Sequence, residues 1–225
     1  TMETVALAFA ITEEAIEDNL YDRLASRYTK ALARSMSNAK QVKSVEPLIN
    51  GLPSTATFNT GDGVSLFNAS HPTIAGTFAN TLAVQADLNE TSLEQSMIDI
   101  AKMTDERGLK VAARGVKMIV PSENQFNAER LMKSAGRTGT ADNDINAIAS
   151  MGMIPQGYRV NNFLTDADSF YIITDVPNGM KYFNRAPLTT AMEGDFDTGN
   201  VRYKARERYA FGASDPRGIF GVEGA

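Results

Sequence analysis

The chain has 225 residues, 43% of them apolar and 22% charged, enough to bury a core as one domain or as one domain with a lobe. Its net charge of −5 argues against a dedicated nucleic-acid binder, and its lack of cysteine excludes disulfides and thiolate metal sites. One histidine, His71, excludes any site that needs two, and no apolar run is long enough to span a bilayer.

The opening "TMETVALAFA" reads as a strand. It carries no signal-peptide pattern, and its first residue is Thr rather than Met, so the expectation is that an upstream segment has been removed. Thr12 then caps a helix with acidic first turns. No glycine or proline follows until Pro47, so the helix is predicted from Thr12 to about Val45, roughly 50 Å long. A compact ball of this chain length has a diameter of about 44 Å. The expected shape is therefore a slab or wedge.

Charge along this helix is sorted: Glu13, Glu14, Glu17, Asp18 and Asp22 precede Arg23, Arg27, Lys30, Arg34, Lys40 and Lys43. The order suits the helix dipole at both ends but does not explain bases in the middle. Arg23, Arg27, Lys30 and Arg34 form one ridge, read either as a solvated face or as a partner surface. Apolar positions recur at Ile16, Leu20, Leu24, Tyr28, Leu32 and Met36, then at Ala39, Val42 and Val45. Steps of four wind the stripe roughly 200° by Met36, so different parts of the helix should meet different surfaces.

Residues 50–81, rich in Gly, Ser, Thr and Asn, are too long for an ordinary connector. "TSLEQSMIDIAKMTDERG" predicts a helix with a Thr91–Glu94 capping box, a Leu93–Met97–Ile100 stripe and a stop at Gly108. "GVKMIVP" reads as a buried strand, and Ser122–Gln125 as a second capping box opening "SENQFNAERLMKS". Strands are predicted at "YRVNNFL", "SFYIITD", "GMKYFNR", "LTTAMEGDF" and "VRYKARERYAFG". The order is mixed α+β without a βαβ series. In the last hairpin a two-residue Gly199-Asn200 turn would set Asp197 opposite Arg202, Asp195 opposite Lys204 and Glu193 opposite Arg206.

Chemistry is sparse. His71 has Ser70 beside it and Asp62 near in sequence, but neighbouring side chains of an extended loop diverge and no G-x-S-x-G is present. The expected role of His71 is a hydrogen bond to loop backbone before Pro72. "ADNDIN" alternates Asp142, Asp144 and Asn146 like a calcium loop, but Ala147 and Met153 stand where glycine and glutamate are required. "GRTGTADN" lacks a phosphate-loop lysine, and "DPRG" is a turn set by Pro216. No catalytic, cofactor or metal residues are assigned.

Taken together and in order, "ITEEAIEDNLYDRL", "GDGVSLFNASHPT", "ANTLAVQADLNETSLEQSMIDIAKMTDERG", "KMIVPSENQFNAERLM", "TADNDINAI", "GMKYFNRAPL" and "DFDTGNVRYKARERYAFGASDPRGIFG" resemble the major head (capsid) subunit of Mu-like tailed bacteriophages. The resemblance implies an α+β fold like that of the Hong Kong 97 coat protein, with a long spine helix, a peripheral domain of elongated strands and an axial domain. On that basis residues 1–109 and 191–225 are expected to form the peripheral domain, with the spine at about 12–46 and a truncated extended loop at 1–11. Residues 110–190 would form the axial domain.

The implied function is structural and non-enzymatic: hexamers and pentamers of the chain would assemble in the host bacterial cytoplasm into an icosahedral virion shell. The implied partners are other copies of the chain, portal, scaffold and decoration proteins, and double-stranded DNA held only non-specifically, with no membrane and no cofactor. An acidic wall fits, since phosphate contacts would have to break on release. An encapsulin-like compartment shell is the alternative.

Overall fold

The structure, a computed structural model, describes residues 2–18, 21–55, 57–137 and 144–225, and only the backbone of Tyr21 and Asp22. The side chains of Leu20, Asp22 and Asp142, and part of "GRTGTADN", lie outside what is described. In chain order the elements are β1 (Glu3–Ile11), α1 (Glu13–Glu17), α2 (Tyr21–Ile49), β2 (His71–Thr73), β3 (Gly76–Phe78), α3 (Glu90–Lys102) and β4 (Gly115–Val120). Then come α4 (Gln125–Lys133), α5 (Ala147–Met151), β5 (Tyr158–Val160), β6 (Phe170–Thr174), β7 (Met180–Gly194), β8 (Val201–Ala213) and, after a 3-10 turn, β9 (Ile219–Val222). The chain divides into two units, residues 1–44 with 182–212 and residues 45–181 with 213–225.

In the first unit β8 is the centre of a three-stranded sheet, between β1 and β7. β1 runs antiparallel to it, from Glu3 opposite Tyr209 to Ile11 opposite Val201. Period-two alternation sorts β8: Ala205, Glu207 and Tyr209 are buried, whereas Arg202, Lys204, Arg206 and Arg208 are exposed. Leu32 and Met36 of α2 pack on Ala205, with Val5, Phe9 and Tyr203 around them. Farther along α2, Val45 and Leu48 belong to a core cluster of the second unit. The winding stripe thus does serve two surfaces.

Three expectations for this unit need correction. Thr12 caps as predicted, accepting from Ala15 N–H, but the helix it opens ends at Glu17, held by a tertiary bond from Glu13 N–H to Asn200 Oδ1. The long helix is instead α2, 29 residues that run through Pro47 to Ile49. Pro47 forfeits one backbone bond in the final turn, where burial of Val45, Pro47 and Leu48 outweighs it. "GMKYFNR" and "LTTAMEGDF" are one strand, β7, crossing Pro187. A sheet-edge strand tolerates proline because it lacks a ladder on one side.

The hairpin loop is also longer than predicted. Asp195 N–H donates to Asn200 O at 2.8 Å and Gly199 N–H to Asp195 O at 2.9 Å, which encloses residues 196–199. Gly199 adopts φ +66°, and a Cβ there would strike the Glu13 carboxylate. Asp195, not Asp197, therefore meets Arg202, and the two other predicted pairs do not form.

The second unit is organised by a sheet of order β5-β4-β6-β9. β4 and β5 are parallel, and the other pairs are antiparallel. Both faces are covered. Phe170, Ile172, Met118, Phe220 and Val222 pack with Leu93, Met97 and Ile100 of α3 and with Leu131 of α4. Tyr171 and Ile219 point to the other side, among Leu48, Leu52, Leu66 and Phe67.

The α3 stripe is as spaced, but its cap is Asn89, reciprocated by Ser92, not Thr91 with Glu94. The helix ends at Lys102, where Met103 turns extended and buries its side chain; Gly108, at φ +81°, serves the following turn instead. Ser122 does not cap α4: its hydroxyl goes to Glu123, and Asn124 stands at the cap without a side-chain capping bond, its Nδ2 donating to Ala167 O instead. "YRVNNFL" yields only the short β5, because Asn161 turns the chain and accepts from Phe163 N–H. Asn146 of "ADNDIN" caps α5.

Candidate functional site

"GDGVSLFNASHPT" folds back on itself within the second unit. His71 is wholly buried at the start of β2. Its Nδ1 lies 2.6 Å from Asp62 Oδ2 and its Nε2 lies 3.0 Å from Asn80 Oδ1. Its ring stacks on Phe78 at 4.8 Å between centroids. The predicted backbone partner is thus replaced by two side chains. Asp62, read from the sequence as near His71 along the chain only, is its direct neighbour in space.

Asn80, also wholly buried, fixes the geometry. Its Nδ2 donates to Leu66 O at 2.7 Å and to Pro216 O at 3.0 Å, which orients Oδ1 as the acceptor. That oxygen also receives Asn68 N–H at 2.8 Å. Gly221 N–H of β9 donates to Asn80 O at 3.0 Å. Both imidazole nitrogens therefore face side-chain oxygens, Asp62 on one side and Asn80 on the other. Burial works to raise the Asp62 carboxyl, but hydrogen bonds from the Thr60 hydroxyl, the His71 ring and Val64 N–H outweigh it and hold the group below the ordinary carboxylate range.

Arg217, the basic residue of "DPRG", completes the cluster. Its guanidinium lies 4.3 Å over the Phe78 ring. Nε donates to Thr104 O at 2.8 Å, and the terminal nitrogens meet Glu106 at 2.9 Å and Asp215 at 3.3 Å. Chemically this is a clasp. Ser70 is exposed and its N–H is committed to Asn68, and His71 has neither a free nitrogen nor a surface opening. Asn80 was missed in the sequence because an amide inside "TFANTLAV" matches no motif; its only signal is a polar residue within an apolar run.

In the first unit, Lys40 Nζ meets Glu207 Oε2 at 2.6 Å, over the rings of Tyr209 and Tyr182. The ridge Arg23, Arg27, Lys30 and Arg34 is exposed, without an ionic partner among the described residues. Among the described residues no group of three or more His, Cys, Asp or Glu could hold a metal ion, and no helix is long and apolar enough to cross a membrane.

Residues 1–222 match a family model described as phage capsid protein. No curated protein matches the chain in sequence. Among solved structures it is similar to Mycobacterium phage Patience, at a TM-score of 0.61 and 10% identity, covering 100% of this chain and 71% of that one. The capsid of Myoviridae phage XM1 follows at 0.58 and 13% identity, covering 100% and 74%. The holo-SrpI encapsulin complex from Synechococcus elongatus PCC 7942 gives 0.53 and 9% identity, covering 99% and 73%.

Proposed function

The chain belongs to the phage capsid protein family and has the α+β, Hong Kong 97-like capsid fold, and from that premise we propose the form its assembly takes. It is a structural shell protein. In this reading its copies join head to tail into hexamers and pentamers that tile an icosahedral head of the Mu-like kind around double-stranded DNA. Assembly takes place in the host cytoplasm, with portal, scaffold and decoration proteins as partners. DNA is contained without sequence preference, and the chain carries out no catalysis. Residues 110–190 serve as the axial domain and residues 1–109 with 191–225 as the peripheral domain, α2 being the spine.

One observation carries this reading: the family match extends over residues 1–222. The ordered Mu-like segments of the sequence support the finer assignment. A compartment shell housing enzymes instead of a genome is the second reading, favoured by the likeness to the encapsulin complex across nearly the whole chain. Sedimentation and electron microscopy of the purified chain should show rings or shells, and a strictly monomeric protein at every concentration would refute both. Neighbouring genes for a portal and a terminase support the head; a neighbouring cargo-enzyme gene supports the compartment.

A further inference from the structure

The sheet face of the first unit that carries the exposed side of β8 bears more positive charge than its own chain answers. Arg202, Lys204, Arg206 and Arg208 stand along it about 7 Å apart. Their partners across β1 are Ala10, Ala8, Ala6 and Thr4, which offer no carboxylate. Only Arg202 has an ionic partner, Asp195; Lys204, Arg206 and Arg208 have none among the described residues. Like charges this close on one strand face are unfavourable in an isolated chain. Beside Ala8 and Ala191 the face hollows into a concavity of about 420 Å³, where Glu193 and Asp195 line it together with Arg202 and Lys204; the acids lie at the Arg202 end, and Arg206 and Arg208 lie beyond them.

The complement lies on another part of the same unit. At the tip of the β7–β8 hairpin the Phe196 side chain is wholly exposed. Asp197 is exposed next to it, and the bond from Glu13 N–H to Asn200 brings the acidic start of α1 alongside. Asp197, Glu13, Glu14 and Glu17 have no ionic partner among the described residues.

We propose that the hairpin tip of one copy docks on the ladder face of another copy, with Phe196 seated over Ala8 and Ala191 and the carboxylates of Asp197 and Glu13 against Lys204 and Arg206. The proposal rests on the shell reading and names the two faces of one of its contacts. Tip and ladder are different patches, so each docked copy keeps one of each free, as a head-to-tail contact that closes into rings requires. A buried aromatic anchor supplies affinity, and the opposed charges supply register. A nucleic-acid backbone would also answer the ladder, but it would leave Phe196 and the acidic tip idle, and the net charge of −5 opposes it.

The test uses the full chain. Phe196→Ala, and separately the pair Lys204→Glu with Arg206→Glu, should each lower the assembled fraction about tenfold at fixed concentration. Adding Asp197→Lys and Glu13→Lys to the ladder pair should restore assembly to within about twofold of the unsubstituted chain. Carbodiimide coupling in mixtures of light- and heavy-isotope copies should join Lys204 of one copy to Asp197 or Glu13 of another. An unchanged melting temperature for Phe196→Ala separates docking from folding.

Full assembly of Phe196→Ala, no rescue by the added lysines, or inter-copy links that run to Lys30 of α2 would each overturn the proposal. So would a ladder reversal that leaves assembly intact and removes only retained DNA. If the unsubstituted chain never assembles, the shell reading falls and takes this contact with it. If it assembles and the tip variants do too, only the contact falls.

Discussion

Lys40 Nζ and Glu207 Oε2 stand 2.6 Å apart, joining α2 to the central strand of its sheet, with the carboxylate side chain only 4% exposed. The two ends of the pair are not equivalent. Removing the ammonium strands a buried charge, whereas neutralising the carboxylate leaves a lysine that can swing into water. Lys40→Met should therefore cost about 1–3 kcal/mol, and Glu207→Gln less, as read from urea unfolding midpoints.

The same pair sets an alkaline limit. The hydrogen bond to Glu207 raises the Lys40 ammonium above its ordinary value, against the opposing effect of burial. A group raised on folding adds stability that is complete below its unfolded value, near 10.4, and lost as pH rises through the folded one. Unfolding midpoints should fall across that alkaline window, and by a smaller amount in Lys40→Met.

Asn80→Ala should cost about 2–4 kcal/mol in urea unfolding, since it leaves the Leu66, Pro216 and Ile219 carbonyls, the Asn68 N–H and one His71 ring nitrogen without their partner.

Asp62 acts at the opposite end of the pH scale. Its folded carboxyl is lowered, so its contribution is complete above the unfolded value, near 3.9, and lost as pH falls through the folded one. Protection factors of the amides across residues 60–80 should fall below about pH 4. Asp62→Asn should exchange faster at neutral pH and lose that acid dependence.

Gly221 sits under the Phe67 ring, where an added Cβ would come within 2.6 Å of ring carbons. Its neighbours are packed on both sides, so Gly221→Ala should destabilise the second unit by about 1–3 kcal/mol. A calorimetric Tm within experimental error of the parent would show that the ring can yield.

Much of this architecture was legible where one period or one absence settles a choice. The alternation through "VRYKARERYAFG" marks β8, and the stretch without glycine or proline before Pro47 marks α2. Where two local solutions are equally good, the sequence could not choose. Asn89 with Ser92 and Thr91 with Glu94 both make acceptable caps two residues apart, and an alternating charge pattern fits more than one hairpin register. The clasp was illegible for a different reason. Asp62, His71 and Asn80 are nine residues apart at each step, and only the turns between them bring the three side chains together.

Pro187 stands at the middle of β7. β7 is an edge of its sheet, and a bare edge of 15 residues is a template on which foreign strands can add without limit. Proline has no N–H to give and holds φ near −65°, and its presence within an edge strand is one of the features that blunt such pairing. An edge blunted in this way is a poorer template for fibrous polymer than an unbroken one of the same length.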